Sequence, residues 1–420
     1  MLLTQSRFFP LFLVQFLATF NDTFFKTAVV MLIVFKRAAA EGNVAGVLSA
    51  LVWALYMLPF FALSASAGQL SDRLEKVRLM RWIKAVDLAL AAVVCAGFFA
   101  DDLTILLPAL ALKGATSTFF GPVKYAILPE RLPPEQLIAA NSLVEGGTYL
   151  AILLGTIAGG ILILQNHGPM LVGAVFVVVA VTGMIAAFFL TPTVAANPHI
   201  QLKWTIATET AAILRTASAD RMTLWAIIGV SWFWVFGTVI MSELPALTNE
   251  VMTGTGEIVP LLLTVFSAGT GVGLWFFALL LKGSVSTRYV PIAGLLMSLG
   301  SVDVWLACMA LEPSASPLGP LAFFSDPARL RIVADLFLVA AAGGGFTVPL
   351  SAMLQLRTQG HERSRMIAAS NAVNALLTVL ALGAAIVALS SGLPLPELFV
   401  GMAVLNMIAA ITLSLLLNRR

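Results

Sequence analysis

Charge is what this chain has least of. Of its 420 residues only 11% are Asp, Glu, Lys or Arg, whereas 60% are hydrophobic, and the mean hydropathy is +0.97. A soluble globular chain carries about 25% charged residues. No water-facing surface can be assembled from this composition, so most of the exterior must face lipid. Cysteine is nearly absent as well. Cys95 and Cys308 both lie in apolar stretches, which argues against a disulfide framework or a thiolate metal site. The three histidines, His167, His199 and His361, are scattered, and His361-Glu362 has no second histidine at zinc-binding spacing. No Gly-x-x-x-x-Gly-Lys-Ser/Thr loop is present, so ATP drive has no visible basis. No metal or cofactor is therefore expected. The net charge of +3 and a pI near 9.0 do not point to nucleic acid, because in such a chain the placement of cations matters more than their sum.

What the chain does have is long apolar runs. A helix that crosses a bilayer needs about 20 apolar residues. Such windows fall at about 8–35, 44–67, 85–100, 103–125, 138–164 and 170–190, then at 221–247, 258–281, 289–311, 331–356, 366–390 and 395–417. The first is too long for a cleavable leader and carries Asn21, Asp22 and Lys26, so it reads as a membrane helix. Only Asp101 and Asp102 separate the third window from the fourth, which predicts a tight polar turn. Between Thr191 and Asp220, Leu202, Ile206, Ile213 and Leu214 recur at roughly helical spacing and predict an interfacial linking helix. The expected organisation is a six-helix half over 1–195, a cytoplasmic linker over 196–220 and a second half over 221–420.

Charge sorting supports that count. With both termini placed in the cytoplasm, 18 Lys and Arg fall on the cytoplasmic side and 4 on the other, namely Lys36, Arg37, Arg329 and Arg331. Lys26 and Lys113 remain inside helices. One miscounted helix would scramble the split. Internal repetition agrees with it. Phe119-Phe120-Gly121-Pro122, followed by Ile138-Ala139-Ala140-Asn141, has a counterpart in Phe346-Thr347-Val348-Pro349, followed by Ile367-Ala368-Ala369-Ser370-Asn371, at an offset of 227 to 229 residues. Val86-Asp87 recurs as Val302-Asp303 at an offset of 216. Two parallel repeats place a substrate site at the midplane between them.

A few polar groups stand inside this apolar frame. In the first helix Asp22 and Lys26 are i, i+4 with the acid first, the favourable orientation for an intrahelical pair. A charge at that depth costs a few kcal/mol on insertion scales, so the pair must face protein rather than lipid. Lys113 lies at membrane depth in the fourth helix, while Lys124 near its end is placed to snorkel toward headgroups. Asn141 and Glu145 are i, i+4 in the fifth helix, and Glu145 reads either as a substrate ligand or as a gate paired with Arg73 or Lys124. Glu243 is the membrane carboxylate of the seventh helix, amid Trp225, Trp232, Phe233, Trp234 and Phe236. Gly155 and Gly159, and the cluster Gly269, Gly271 and Gly273, permit close helix approach. Asp87, Asp303 and Asp335 lie near the ends of their windows and are assigned no role.

The loop Gly68-Gln69-Leu70-Ser71-Asp72-Arg73 resembles the signature loop between helices two and three of the major facilitator superfamily. Within it, Phe20-Asn21-Asp22, the run from Phe120-Gly121-Pro122-Val123-Lys124-Tyr125 to Glu130, and Ala140-Asn141-Ser142-Leu143-Val144-Glu145-Gly146-Gly147-Thr148 resemble the bacterial lysophospholipid transporters associated with an acyltransferase/acyl-carrier-protein synthetase. The resemblance covers roughly residues 8–155. It departs from that pattern at Thr23, Thr27 and Ala126. It implies an all-α integral membrane protein of twelve helices in two pseudo-symmetric halves, working by alternating access in the bacterial inner membrane. It implies a lysophospholipid substrate, lysophosphatidylethanolamine in particular, and membrane lipids as surroundings. Any acyltransferase partner would be a separate chain. Asn21, Asp22, Lys26, Lys113 and Glu145 are then the expected substrate-binding residues: Lys26 or Lys113 for the phosphate, Asp22 or Glu145 for the ammonium. Asp72, Arg73, Lys124, Asn141 and Glu243 are the expected gating residues. A proton-coupled exporter of drugs or small amphiphiles, with Asp22 or Glu145 carrying the proton, is the competing reading in the same fold. A membrane-embedded lipid-modifying enzyme fares worst, because no catalytically spaced carboxylates or histidines cluster in the helices.

Overall fold

The computed structural model describes residues 2–37, 44–193, 215, 220–281, 287–312, 314–357 and 363–417. Among them, 12 helices are long and apolar enough to cross a membrane. They are α1 (Phe9–Met31, continued by π-helical turns over Leu32–Arg37), α2 (Val44–Arg73), α3 (Lys76–Phe99), α4 (Leu103–Ala126), α5 (Pro134–Leu164) and α6 (Gly168–Phe188). The second set is α7 (Arg221–Ala246), α8 (Ile258–Leu281), α9 (Tyr289–Met309), α10 (Pro327–Arg357), α11 (Arg363–Ser390) and α12 (Glu397–Leu417). Pro122 and Pro349, the repeated prolines, both lie inside helices, in α4 and α10. Each removes an i→i−4 hydrogen bond at the same place in its half. The interfacial linking helix anticipated around Leu202–Leu214 falls outside the described residues.

Several helices start earlier than hydropathy indicates, α3 most of all. α3 begins at Lys76 and α10 at Pro327, not near 85 and 331. Glu75 explains the first case: its carboxylate accepts from the Val77 and Arg78 backbone amides and caps α3. The tight turn at Asp101-Asp102 is present. Asp101 takes φ 51°, and Asp102 accepts from the Thr104 amide at 2.8 Å to start α4.

Contacts divide the chain into two compact units: Met1–Val29 with Leu55–Thr210, and Val30–Ala54 with Ala211–Arg420. The far end of α1 and the start of α2 therefore cluster with the second set of helices. In the first unit α3 packs on α4 and α6, and α5 on α6. α1 lies directly against α5, because a Cβ on Gly155 would come within 2.7 Å of the Phe20 carbonyl oxygen, and one on Gly159 would overlap that of Phe24. Phe8, Leu11, Val77, Met80, Val123, Ile127 and Val144 form a core at one end of this unit.

In the second unit α10 packs against α7, α8 and α9, while α12 packs on α9. Here Gly269 and Gly273 of α8 meet the α10 backbone at Phe337 and Ala341, as the small-residue pattern predicts. Gly271 does not, since a side chain there would meet nothing within 4 Å. A neutral network ties three helices together. Asn406 of α12 accepts from Trp232 Nε1 at 3.0 Å and donates to the Gly294 carbonyl at 2.8 Å and to Ser298 Oγ at 2.9 Å.

Candidate functional site

The first unit holds a buried charged cluster built from four helices. Lys113 on α4 is 2% exposed. Its ammonium is 2.6 Å from Asp22 Oδ1 of α1 and 3.0 Å from Asp87 Oδ1 of α3. One turn along α4, at the i+3 and i+4 positions, Thr116 Oγ1 donates to Asp87 at 2.7 Å and Ser117 Oγ donates to Asp22 at 2.7 Å. Tyr56 on α2 donates its hydroxyl to Asp22 at 3.2 Å. Lys84, one turn before Asp87 on α3, donates to the other oxygen of that carboxylate at 2.8 Å. The Lys26 ammonium stands 5.1 Å from the centre of the Tyr56 ring, a cation–π distance. Asn21 donates to the Phe176 carbonyl of α6 at 3.1 Å.

This arrangement changes the sequence reading in three places. Asp87 is not an end-of-helix bystander: it lies in the middle of α3 and accepts from two lysines and a threonine. Lys84, counted above among cytoplasmic loop charges, is buried in the same cluster. Lys124 does not snorkel, for it is buried and donates to Thr148 Oγ1 of α5 at 2.7 Å. The cluster brings together Asn21, Asp22, Lys26 and Lys113 of the expected set and adds Tyr56, Lys84, Asp87, Thr116 and Ser117. The side chains of Asp72, Asn141 and Glu145 lie outside the described residues. Arg73 is exposed at the end of α2.

Such a cluster is electrostatically demanding. Breaking a buried pair by removing one partner costs about 3–5 kcal/mol, because a charge is left without compensation. Each carboxylate here is shared between a lysine and at least one hydroxyl, which offsets its desolvation. Three lysines (Lys26, Lys84, Lys113) and two aspartates (Asp22, Asp87) meet in this cluster. Chemically, it presents ammonium and hydroxyl donors of the kind that bind an anionic group.

Below the cluster, polar contacts knit the loop ends of the same unit. Glu75 accepts from the Thr193 amide at 2.7 Å and hydroxyl at 3.0 Å. Partial burial works to raise its carboxyl, but these bonds and the cap amides outweigh it and hold the group below its ordinary value. Lys76 pairs with Glu130. Arg81 donates to the Ala187, Phe188 and Leu190 carbonyls, placing a cation on the C-terminus of α6. Arg131 donates to the carbonyls of Arg7 and Thr191. Its burial pushes the guanidinium below its usual value against the pull of Glu75 and Glu130.

In the second unit Glu243 is 1% exposed. Oε1 lies 3.0 Å from Ser242 Oγ, and Oε2 has no hydrogen-bond partner. Asp303, the repeat counterpart of Asp87, pairs at the surface with Arg331.

Twelve spanning helices in two sets of six, with prolines repeated in α4 and α10, define a multi-pass membrane transporter of the major facilitator type. The family described as Major Facilitator Superfamily matches residues 11–325. Solved structures share the fold at low identity. The POT family transporter PepTSo superposes with a TM-score of 0.72 at 11% identity over 98% of both chains. A D-xylose-proton symporter does so at 0.70 and 12% identity, covering 97% of this chain and 96% of its own. Curated relatives are nearer in sequence. Lysophospholipid transporter LplT of Enterobacter sp. (strain 638) is 30% identical over 84% of this chain and 83% of its own length. That of Serratia proteamaculans (strain 568) is 30% identical over 72% and 69%. The chain belongs to the lysophospholipid transporter family of the major facilitator superfamily.

Proposed function

We propose that this protein moves a lysophospholipid, with lysophosphatidylethanolamine the expected substrate, across the bacterial inner membrane by alternating access of its two halves. The observation that carries the reading is the buried Asp22–Lys113–Asp87–Lys84 cluster, with Tyr56 and Lys26 beside it. A zwitterionic headgroup supplies what such a cluster takes. Its phosphate suits Lys26 or Lys113 and its ammonium suits Asp22. The names of the relatives support the lipid class.

Residues 1–195 and 221–420 act as the two moving halves, joined by 196–220, with both termini in the cytoplasm. Asp72, Arg73, Lys124, Asn141 and Glu243 serve as gates, and Asn21 and Glu145 complete the headgroup site. A separate acyltransferase chain that re-acylates the delivered lipid is the fitting partner.

The test is uptake of labelled lysophosphatidylethanolamine into proteoliposomes, with and without an imposed proton gradient. Asp22→Asn and Lys26→Gln should each lower uptake at least tenfold while the protein remains in the membrane. Equal lipid appearance with empty vesicles sinks the proposal. Strict gradient dependence with drugs as competitors transfers it to the exporter reading.

A further inference from the structure

We propose that Glu243 is a proton-binding site, and that the bound proton holds the first turn of α2 against α7. The case begins with one hydrogen atom. Ser242 has a single hydroxyl proton, and its Oγ stands 2.8 Å from the Val239 carbonyl and 3.0 Å from Glu243 Oε1. The Val239 carbonyl can only accept, and so can an ionised Oε1, so one hydroxyl proton cannot satisfy both. With the serine proton on the nearer carbonyl at 2.8 Å, Oε1 at 3.0 Å is left short of a donor. The contact is satisfied when Glu243 carries the proton and donates it to Ser242 Oγ.

The surroundings agree. Oε2 has no hydrogen-bond partner, and the side chain is 1% exposed. A carboxylate so placed would have left water without compensation, whereas the neutral acid loses far less. Gly46 of α2 lies against Oε2, and Leu389 of α11 and Leu395 of the turn before α12 flank the same glycine. None of these titrates. Among the described residues, the charged group acting on Glu243 is another acid, Glu250, in the π-helical turn after α7. No described basic side chain of α8, α10, α11 or α12 pairs with it.

Gly46 shows how closely the two helices meet. A Cβ at that position would come within 3.0 Å of Oε2 and of Leu389 Cδ1. The backbone of α2 is thus laid directly on the carboxyl. The neutral acid tolerates this dry contact. Loss of the proton creates an anion that must regain water, and the route to water is the parting of α2 from α7. The contact lies within the second unit, to which Val30–Ala54 belongs. The inference therefore stands whether or not the lysophospholipid reading does.

The experiment needs no substrate. Ala45, beside Gly46, is fully buried. In a background with Cys95→Ala and Cys308→Ala, an Ala45→Cys variant is exposed to a water-soluble maleimide at equal pH on both sides of the membrane. The reference carries Glu243→Gln in addition, an isosteric mimic of the neutral acid that also cancels the pH dependence of the thiol itself. The expected result is a labelling rate, relative to the reference, that rises about tenfold per pH unit above the titration of the carboxyl. A second readout is infrared: the protein should show the carbonyl stretch of a buried protonated acid, and Glu243→Gln should remove it. A pH-independent ratio with no such band overturns the proposal.

Discussion

The two units of this protein come from one repeated pattern but spend their buried polar groups differently. In the first, α1, α2, α3 and α4 converge on ions: Lys113 between Asp22 and Asp87, with Lys84 behind them. In the second, α7, α9 and α12 converge on neutral groups around Asn406, each with a partner. The repeated aspartates make the contrast sharp. Asp87 is buried in the charged cluster, while Asp303 pairs with Arg331 at the surface. The second unit's buried carboxyl, Glu243, pairs with no cation among the described residues. Duplication conserved the scaffold, and the chemistry then concentrated on one side. That suits a substrate with a charged head and an apolar tail.

The comparison can be broken at several points. The largest effect should come from Lys113→Ala, which takes the ammonium from Asp22 and leaves Asp87 with Lys84 alone, and should cost about 3–5 kcal/mol of stability in detergent, along with transport. Thermal unfolding of the purified protein measures the first, and vesicle uptake the second. If Lys113→Ala unfolds no earlier than the wild type, the cluster is not what holds α1, α3 and α4 together. A smaller loss is expected from Asn406→Ala, which leaves the Trp232 indole N–H without its acceptor. About 1–3 kcal/mol is the usual cost of an unsatisfied buried polar group, and transport by the surviving folded protein should be kept. Lost transport at unchanged stability would instead make the second unit's neutral network functional. The smallest effect belongs to Arg331→Gln. An exposed ion pair contributes about 0–1 kcal/mol, so its melting curve should nearly overlay that of the wild type. A shift as large as that of Lys113→Ala would erase the distinction between the two repeated aspartates.

Much of the architecture was legible in the sequence because the bilayer imposes it. Twelve apolar windows, the Asp101-Asp102 turn and the repeated prolines all correspond to features of the fold. The site was half legible. Asp22, Lys26 and Lys113 stand out because each interrupts an apolar run. Lys84 and Asp87 were hidden by the same logic. Hydropathy falls wherever charges occur, so the third window was cut at about 85, and the first nine residues of α3 read as loop. Burial of those charges against partners on α4 makes the helix possible, and hydropathy is blind to partners. The i, i+3 spacing of Lys84 and Asp87, and of Lys113 and Thr116, was the available signal. Gly271 was over-read for the converse reason: composition marks small residues but not the face they occupy.

The Asp22–Lys113 contact also bears on how the chain is made. The two residues are 91 positions apart, and at roughly 5–20 residues per second of synthesis Asp22 enters the membrane several seconds before its lysine exists. During that interval α1 carries a buried acid with no partner from another helix. Lys26, one turn further along α1, is already there to neutralise it. The i, i+4 pair visible in the sequence thus serves as a travelling companion for insertion. When α4 arrives, Lys113 joins Asp22 at 2.6 Å, and Lys26 stands over the Tyr56 ring.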